Sequence, residues 1–247
     1  DKDEKAPLLE VLAKVLESVN KAVPGGEIKE VENEVEDGAV IYEIKKVVDG
    51  VEYEIEVTED GVVKKIEKEG NVRIWNFNAD VLEKTAVGFS IAETGGEGKL
   101  ATWQVIEDKS APSPSNVFVL TKNENYGSTF NLVIAEDTSY KNLDISVKVK
   151  AVSGKEDQGG GPIWRAKDAD NYYIARWNPL ENNFRVYFVK DGRRKQLGNA
   201  NVKVPSDQWH TIRIVMIGQK IDAYLNGEKL ITVEDSTFAA AGMVGLW

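Results

Sequence analysis

Apolar residues recur at two distinct spacings along this chain. Near the start Leu8, Leu12, Val15, Leu16 and Val19 fall at helical intervals, with Pro7 suited to a first turn. Pro24-Gly25-Gly26 stops that helix. Beyond it the period drops to two. Val40, Tyr42 and Ile44 lie on one side of a strand, as do Tyr53, Ile55 and Val57 on the next, while Glu43, Glu52, Glu54 and Glu56 take the other side. Turn pairs at Asp37-Gly38, Asp49-Gly50 and Asp60-Gly61 separate these runs and predict an antiparallel meander. Residues 1–70 therefore predict a small α+β module: one helix on the apolar face of a sheet whose acidic face stays in water.

From Asn71 onward short β-rich runs alternate with Gly, Asn, Asp and Pro turns, and no long amphipathic helix interrupts them. Strands are expected at 116–120, 129–134, 143–152, 161–166, 172–177, 184–189, 210–217 and 221–225. Many short strands at this spacing predict an antiparallel β-sandwich or jelly roll, so the chain is mainly β overall. Residues 110–115 and 155–160 read as loops, and the glycines at 159–161 predict a close backbone approach or a bend.

Counting outward from the turns assigns faces. A turn centred near Ala169 sets Arg165 opposite Tyr173 and Trp164 opposite Ile174. A second turn around Leu180-Glu181 sets Arg176 opposite Arg185 and Ile174 opposite Tyr187. One face then carries Ile163, Tyr173, Ala175, Trp177, Phe184, Val186 and Phe188 with Arg165, a core. The other carries Trp164, Tyr172, Ile174, Arg176, Arg185 and Tyr187. A shift of one residue would exchange the two.

Charge sharpens the division. Residues 1–70 hold 20 acidic and 10 basic side chains, and 71–247 hold 21 of each, so the net −10 belongs to the first segment. That asymmetry favours two modules, 1–70 and 71–247. A chain this acidic does not suit phosphate backbones. Its one basic cluster, Arg193-Arg194-Lys195, follows Asp191-Gly192 and reads as a solvated hairpin tip. No apolar run approaches the roughly 20 residues needed to span a bilayer. With no cysteine there are no disulfides, thiolate metal sites or cysteine nucleophile. The start at Asp1, without a signal-like stretch, fits an exported protein whose targeting peptide has been removed. The apolar Gly245-Leu246-Trp247 ending predicts a native C-terminus further on.

Candidate chemistry is sparse. His210, the one histidine, follows Trp209 at a strand start and favours a structural role. No Gly-x-Ser-x-Gly elbow is present. Asp168-Ala169-Asp170-Asn171 lacks the glycine and distal glutamate of an EF-hand and reads as a turn. No metal site and no cofactor are expected, although a structural calcium is compatible with a sandwich of this kind. Glu181, Asp222 and His210 are the candidates for a catalytic base, and nothing in the pattern ranks them.

Two resemblances add to this reading. Residues 19–69, with the Pro24-Gly25-Gly26 break, Tyr42-Glu43 and the Asp-Gly turns, resemble the PepSY and PepSY-like family of small exported bacterial domains. That implies a protein partner for the acidic module, with no catalysis there. Residues 160–247 resemble the concanavalin A-like jelly rolls, most closely the laminin G-like domains grouped with the 3-keto-disaccharide hydrolase family, loosely family 16 glycoside hydrolase-like. Arg165, Asp170-Asn171-Tyr172-Tyr173, Arg176, Asn182, Trp209-His210, Tyr224-Leu225-Asn226-Gly227, Gly242 and Gly245-Leu246-Trp247 carry the match, which weakens over 75–150 around Trp103-Gln104-Val105. The Glu-x-Asp-x-x-Glu run of family 16 enzymes is missing from 71–247. The resemblance implies a secreted or periplasmic bacterial protein binding carbohydrate on a concave sheet face. Trp164, Tyr172, Arg176, Arg185 and Tyr187 supply rings and guanidiniums suited to sugar faces and hydroxyls. The alternatives are a glycoside or 3-keto-glycoside hydrolase or lyase, and a non-catalytic protein-interaction or structural module.

Overall fold

The computed structural model describes residues 5–36, 38–48, 51–69, 73–113, 115–155 and 157–247. Asp37, the Asp49-Gly50 turn and the expected boundary at 70–71 lie outside the described residues. The chain divides into two compact units, Asp1–Trp75 and Asn76–Trp247.

In the first unit α1 (Lys5–Ala22) precedes β1 (Glu27–Glu36), β2 (Ala39–Val48), β3 (Val51–Thr58) and β4 (Val63–Glu69). The strands form an antiparallel sheet in the order β1-β2-β3-β4, the expected meander. Val15 and Val19, one helical turn apart, bury fully against Tyr42, Ile44, Ile55 and Val57. Ile44 pairs with Ile55 and Tyr42 with Val57, so the apolar positions of the two strands share one side. Lys46 continues that inward series and is buried. Its ammonium donates to the Val23 carbonyl at 2.7 Å and to Asn20 Oδ1 at 2.6 Å, capping the end of α1 with a cation. Beside Asp60, Gly61 adopts φ 82°, and its N–H donates to Thr58 to close the last turn.

The second unit is a β-sandwich. Its strands are β5 (Phe89–Thr94), β6 (Gly98–Glu107), β7 (Asn116–Asn125), β8 (Phe130–Tyr140), β9 (Leu143–Lys150), β10 (Pro162–Asp168), β11 (Asn171–Asn178), β12 (Asn183–Lys190) and β13 (Arg193–Asn201), followed by β14 (Trp209–Ile217), β15 (Lys220–Leu225), β16 (Glu228–Glu234) and β17 (Gly242–Leu246). A seven-stranded sheet runs β13-β12-β11-β10-β17-β8-β5, and a four-stranded one runs β16-β15-β14-β9. The β6–β7 hairpin packs Trp103 and Phe118 with Val133 and Ile91. Ile212, Ile214 and Met216 alternate inward from β14 and meet the larger sheet. Trp164 Nε1 lies 3.1 Å from Met216 Sδ, and the Trp177 ring meets His210 edge-on at 4.6 Å.

The β11–β12 hairpin has the expected register, with Arg176 opposite Arg185 and Ile174 opposite Tyr187. The β10–β11 hairpin does not. Ile163 pairs with Ile174 and Trp164 with Tyr173, after a bulge between Trp164 and Asp168. The turn is tight, from Asp168 to Asn171, and Arg165 adopts φ 46°, so β10 carries residues that β11 does not match. Trp164 therefore belongs to the interior, stacked on Tyr173 at 5.6 Å, and Ile163 takes the place expected for it on the opposite face.

Arg165 holds the bulge. It is 2 % exposed, and its guanidinium donates to Lys141 O at 2.8 Å, Phe238 O at 2.7 Å and Gly218 O at 2.7 Å, joining three loops at one end of the sandwich. Burial lowers its pKa, since dipoles alone compensate the charge. Glycines at 159–161 allow the close approach predicted for them: a Cβ on Gly159 would stand 2.0 Å from Trp177 O, and one on Gly161 1.9 Å from Ala175 O.

Replacing Arg165 with Met leaves those three carbonyls without their donor. A loss of about 3 kcal/mol or more is expected, measured by urea unfolding of the full chain followed by tryptophan fluorescence. An unchanged midpoint would show that the staple is dispensable.

Candidate functional site

The face of the seven-stranded sheet turned away from the four-stranded sheet is floored by Ile163, Ile174, Tyr172, Tyr187, Val189, Leu132 and Ile134. Arg176 and Arg185 stand on it directly opposite one another. Two like charges in that position repel. The turn between their strands resolves the conflict by supplying Glu181. Its Oε2 accepts from Arg176 Nη2 at 2.8 Å, Arg185 Nη1 at 3.0 Å and Asn183 Nδ2 at 2.7 Å. The turn is shaped by Asn182 at φ 52° and by the Asn178 side chain, which accepts from the Leu180 N–H at 3.0 Å.

A second carboxylate arrives from the loop before β10. Asp157 accepts from Arg176 Nη1 at 2.8 and 3.1 Å and from the Asn178 amide. One guanidinium, 2 % exposed at its side chain, thus carries two carboxylates that are 44 % and 43 % exposed. Its buried Nε has no hydrogen-bond partner among the described residues. The carboxyls differ in proton affinity. The Asn183 hydrogen bond, with Arg176 and Arg185 beside it, holds Glu181 below the ordinary glutamate value. Burial raises Asp157 above the ordinary aspartate value, Glu181 adds to the effect, and Arg176 opposes it. The two carboxyls on one guanidinium are thus displaced in opposite directions from their ordinary values.

The aromatic rings lie beneath these charges. The Arg176 guanidinium is 5.6 Å from the Trp247 ring and 6.0 Å from Tyr187. Arg194 covers Tyr187 at 4.6 Å and Phe130 at 4.8 Å. Tyr187 is 4 % exposed and Tyr172 is fully buried, its hydroxyl 2.9 Å from Thr94 Oγ1, so desolvation raises the Tyr172 pKa. The accessible rim of this face is charged, which corrects the expectation of an open aromatic platform.

Of the five expected ligand residues, Tyr172, Arg176, Arg185 and Tyr187 share the face. Trp164 does not; it faces the sandwich interior and is fully buried. Among the expected bases, Glu181 alone joins the cluster. Asp222 sits on β15 between inward-facing Ile221 and Ala223, so it points to the outer side of the four-stranded sheet. There it binds Thr232 at 2.6 Å and Lys220 at 3.3 Å, interactions that lower its pKa. His210 packs on Trp177. One ring nitrogen contacts Pro205 O at 2.8 Å and the other the Asn226 amide at 2.9 Å, so both nitrogens are occupied.

Asp157, Arg194 and Trp247 were missed. Asp157 lies 19 residues before Arg176, in a loop whose one signal is the nearby glycine run. Arg194 was read as a solvated tip, but β13 places it opposite Val189, on the same face as Tyr187. Asp168 closes its own turn by accepting from the Asp170 N–H at 2.9 Å and the Asn171 amide at 2.8 Å. Among the described residues no group of three or more His, Asp or Glu could hold a metal ion.

A family model described as a 3-keto-alpha-glucoside-1,2-lyase-like domain matches residues 25–246, taking in β1 to β4 as well as the sandwich. The chain is similar to a carbohydrate-binding module, CBM66, from Bacillus subtilis, at 15% identity over 64% of this chain and 86% of that one, with a TM-score of 0.49. It is also similar to a galectin-like protein of unknown function from Bacillus subtilis, at 10% identity, 64% and 81% coverage and a TM-score of 0.44. A third similarity is to domain 4 of AbnA, an extracellular arabinanase from Geobacillus stearothermophilus, at 14% identity, 63% and 71% coverage and a TM-score of 0.42. No curated protein matches the chain.

The two carboxyls should leave opposite signatures in pH-dependent stability. A lowered carboxyl contributes stability that is present above its unfolded value, 4.5 for Glu181, and lost as pH falls through the folded one. Glu181→Gln should therefore flatten the acid limb of the stability profile. A raised carboxyl costs stability as pH climbs above 3.8, so Asp157→Asn should gain relative to the parent protein over that climb. Parallel profiles for the parent and both variants, in chemical denaturation from pH 3 to 7, would contradict the assignment.

Proposed function

Because the chain belongs to the 3-keto-alpha-glucoside-1,2-lyase-like domain family, we propose that it recognises a glycoside on the outer face of its seven-stranded sheet. The binding rim is Asp157, Glu181 and Arg185 above the buried Arg176. One observation carries this: a single guanidinium presents two half-exposed carboxylates of opposite proton affinity on one sheet face. Sugar hydroxyls donate and accept. The carboxylates take their protons and the outward N–H groups of Arg185 meet their lone pairs. Tyr187, Tyr172 and Trp247 form the apolar floor under this rim, and Trp164 takes no part.

A second reading is turnover, favoured by the opposed carboxyls. In a 3-keto-glycoside the ketone acidifies the C2 proton. Glu181 removes that proton, its electron pair forms the C1–C2 double bond, the C1–O bond breaks, and Asp157, the carboxyl whose proton affinity burial raises, is placed to pass a proton to the departing oxygen. No water or redox partner is consumed. The first unit is read as a PepSY-like interaction module of an exported envelope protein, its acidic sheet face offered to a protein partner. The net −10 over residues 1–70 supports that reading.

Isothermal titration of the full chain with methyl α-D-glucopyranoside, maltose and their 3-keto derivatives tests binding. Arg185→Gln and Glu181→Gln should each weaken affinity about tenfold with an unchanged circular dichroism spectrum. Unaltered affinity in both variants would remove the site. For turnover, chromatography should show release of the alcohol from the 3-keto glycoside, slowed about 100-fold in Glu181→Gln. Equal rates would leave the domain a binder.

A further inference from the structure

Three arginines reach the proposed face, and they are not equivalent. Arg176 and Arg185 are neutralised by Asp157 and Glu181. Arg194 forms no ion pair among the described residues. It is exposed at the start of β13, directly after the turn made by Asp191 at φ 49° and Gly192 at φ 73°. Its guanidinium is held over two rings at once, Tyr187 at 4.6 Å and Phe130 at 4.8 Å. Two rings within cation–π range restrict where that group can lie. An exposed arginine normally spreads its charge over many rotamers; this one is clamped beside a binding rim. Arg176 and Arg185 thus direct their charge to carboxylates, whereas the Arg194 guanidinium lies over rings.

We infer that Arg194 is a specificity subsite for a carboxylate borne by the saccharide, as in a uronic or aldonic acid unit. This rests on the glycoside reading of the same face. A planar carboxylate meets a fixed guanidinium edge through two parallel hydrogen bonds, whereas a neutral hydroxymethyl group can use one at most. The clamped geometry removes most of the ordering cost of that pairing, and the rings beneath exclude water from one side of it. No proton or covalent bond is transferred; the subsite selects.

Matched pairs test the assignment: methyl α-D-glucopyranoside against methyl α-D-glucuronide, and maltose against maltobionate, titrated into the full chain at 20 mM and 300 mM salt. The acidic member of a pair should bind about tenfold tighter at low salt, and the advantage should shrink at high salt. Arg194→Gln should bring the acidic-to-neutral affinity ratio close to one, and Arg194→Lys should recover part of the ratio by restoring charge without the fork. Equal affinity for both members in the parent protein would overturn the carboxylate subsite while leaving glycoside recognition standing. An unchanged ratio in Arg194→Gln would move the selectivity elsewhere and overturn it as well. Methyl α-D-glucoside 6-sulfate binding as tightly as the glucuronide would overturn the carboxylate assignment in favour of general anion attraction. Absence of binding by every member would fail the glycoside reading first, and this inference with it.

Discussion

The sandwich depends on one buried guanidinium, Arg165, that has no counter-ion among the described residues. Arg165 spends its N–H groups on carbonyls from three loops, and the left-handed backbone beneath it inserts the bulge that sets the register of β10. A buried ion compensated only by dipoles is expensive, so it persists where the surrounding loops already converge. The consequence reaches the far side of the sheet. Without the bulge Trp164 and Ile163 would exchange faces, a large indole would intrude under the arginine cluster, and the interior would lose its stack on Tyr173.

The electrostatics of the proposed site follow a second constraint of the same kind. Opposed arginines on neighbouring strands are tolerable because the intervening turn is short enough to return a glutamate between them. Glu181 thereby belongs to both guanidiniums, while Asp157 belongs to one of them. The contrast in proton affinity arises because Glu181 gathers donors from Asn183 and two arginines, whereas at Asp157 burial outweighs the one arginine beside it. This is a division of labour made by placement.

The legible parts of the fold were those written in alternation around tight turns. The β11–β12 pairing could be counted from Leu180-Glu181 because the strands are regular and their aromatics alternate. The helix over the meander was legible for the same reason, except at Lys46, where an inward lysine caps a helix and breaks the apolar series. β10 was misread because a non-glycine residue at positive φ leaves no mark in composition. β13, Arg-Arg-Lys-Gln-Leu-Gly-Asn-Ala-Asn, is a polar edge strand without alternation, so Arg194 passed for a loop residue. Asp157 joined the site through tertiary contact alone, which no local pattern records.

The position of β17 has a consequence for how the molecule is made. It lies between β10 and β8, so the half of the large sheet built from β5 and β8 is joined to the half built from β10 to β13 only through residues 242–246. During synthesis every earlier strand emerges before that bridge exists. Two unfinished half-sheets, each with an open edge, must wait side by side until residues 242–246 insert between them. Such an order of events gives high contact order and slow closure of the large sheet.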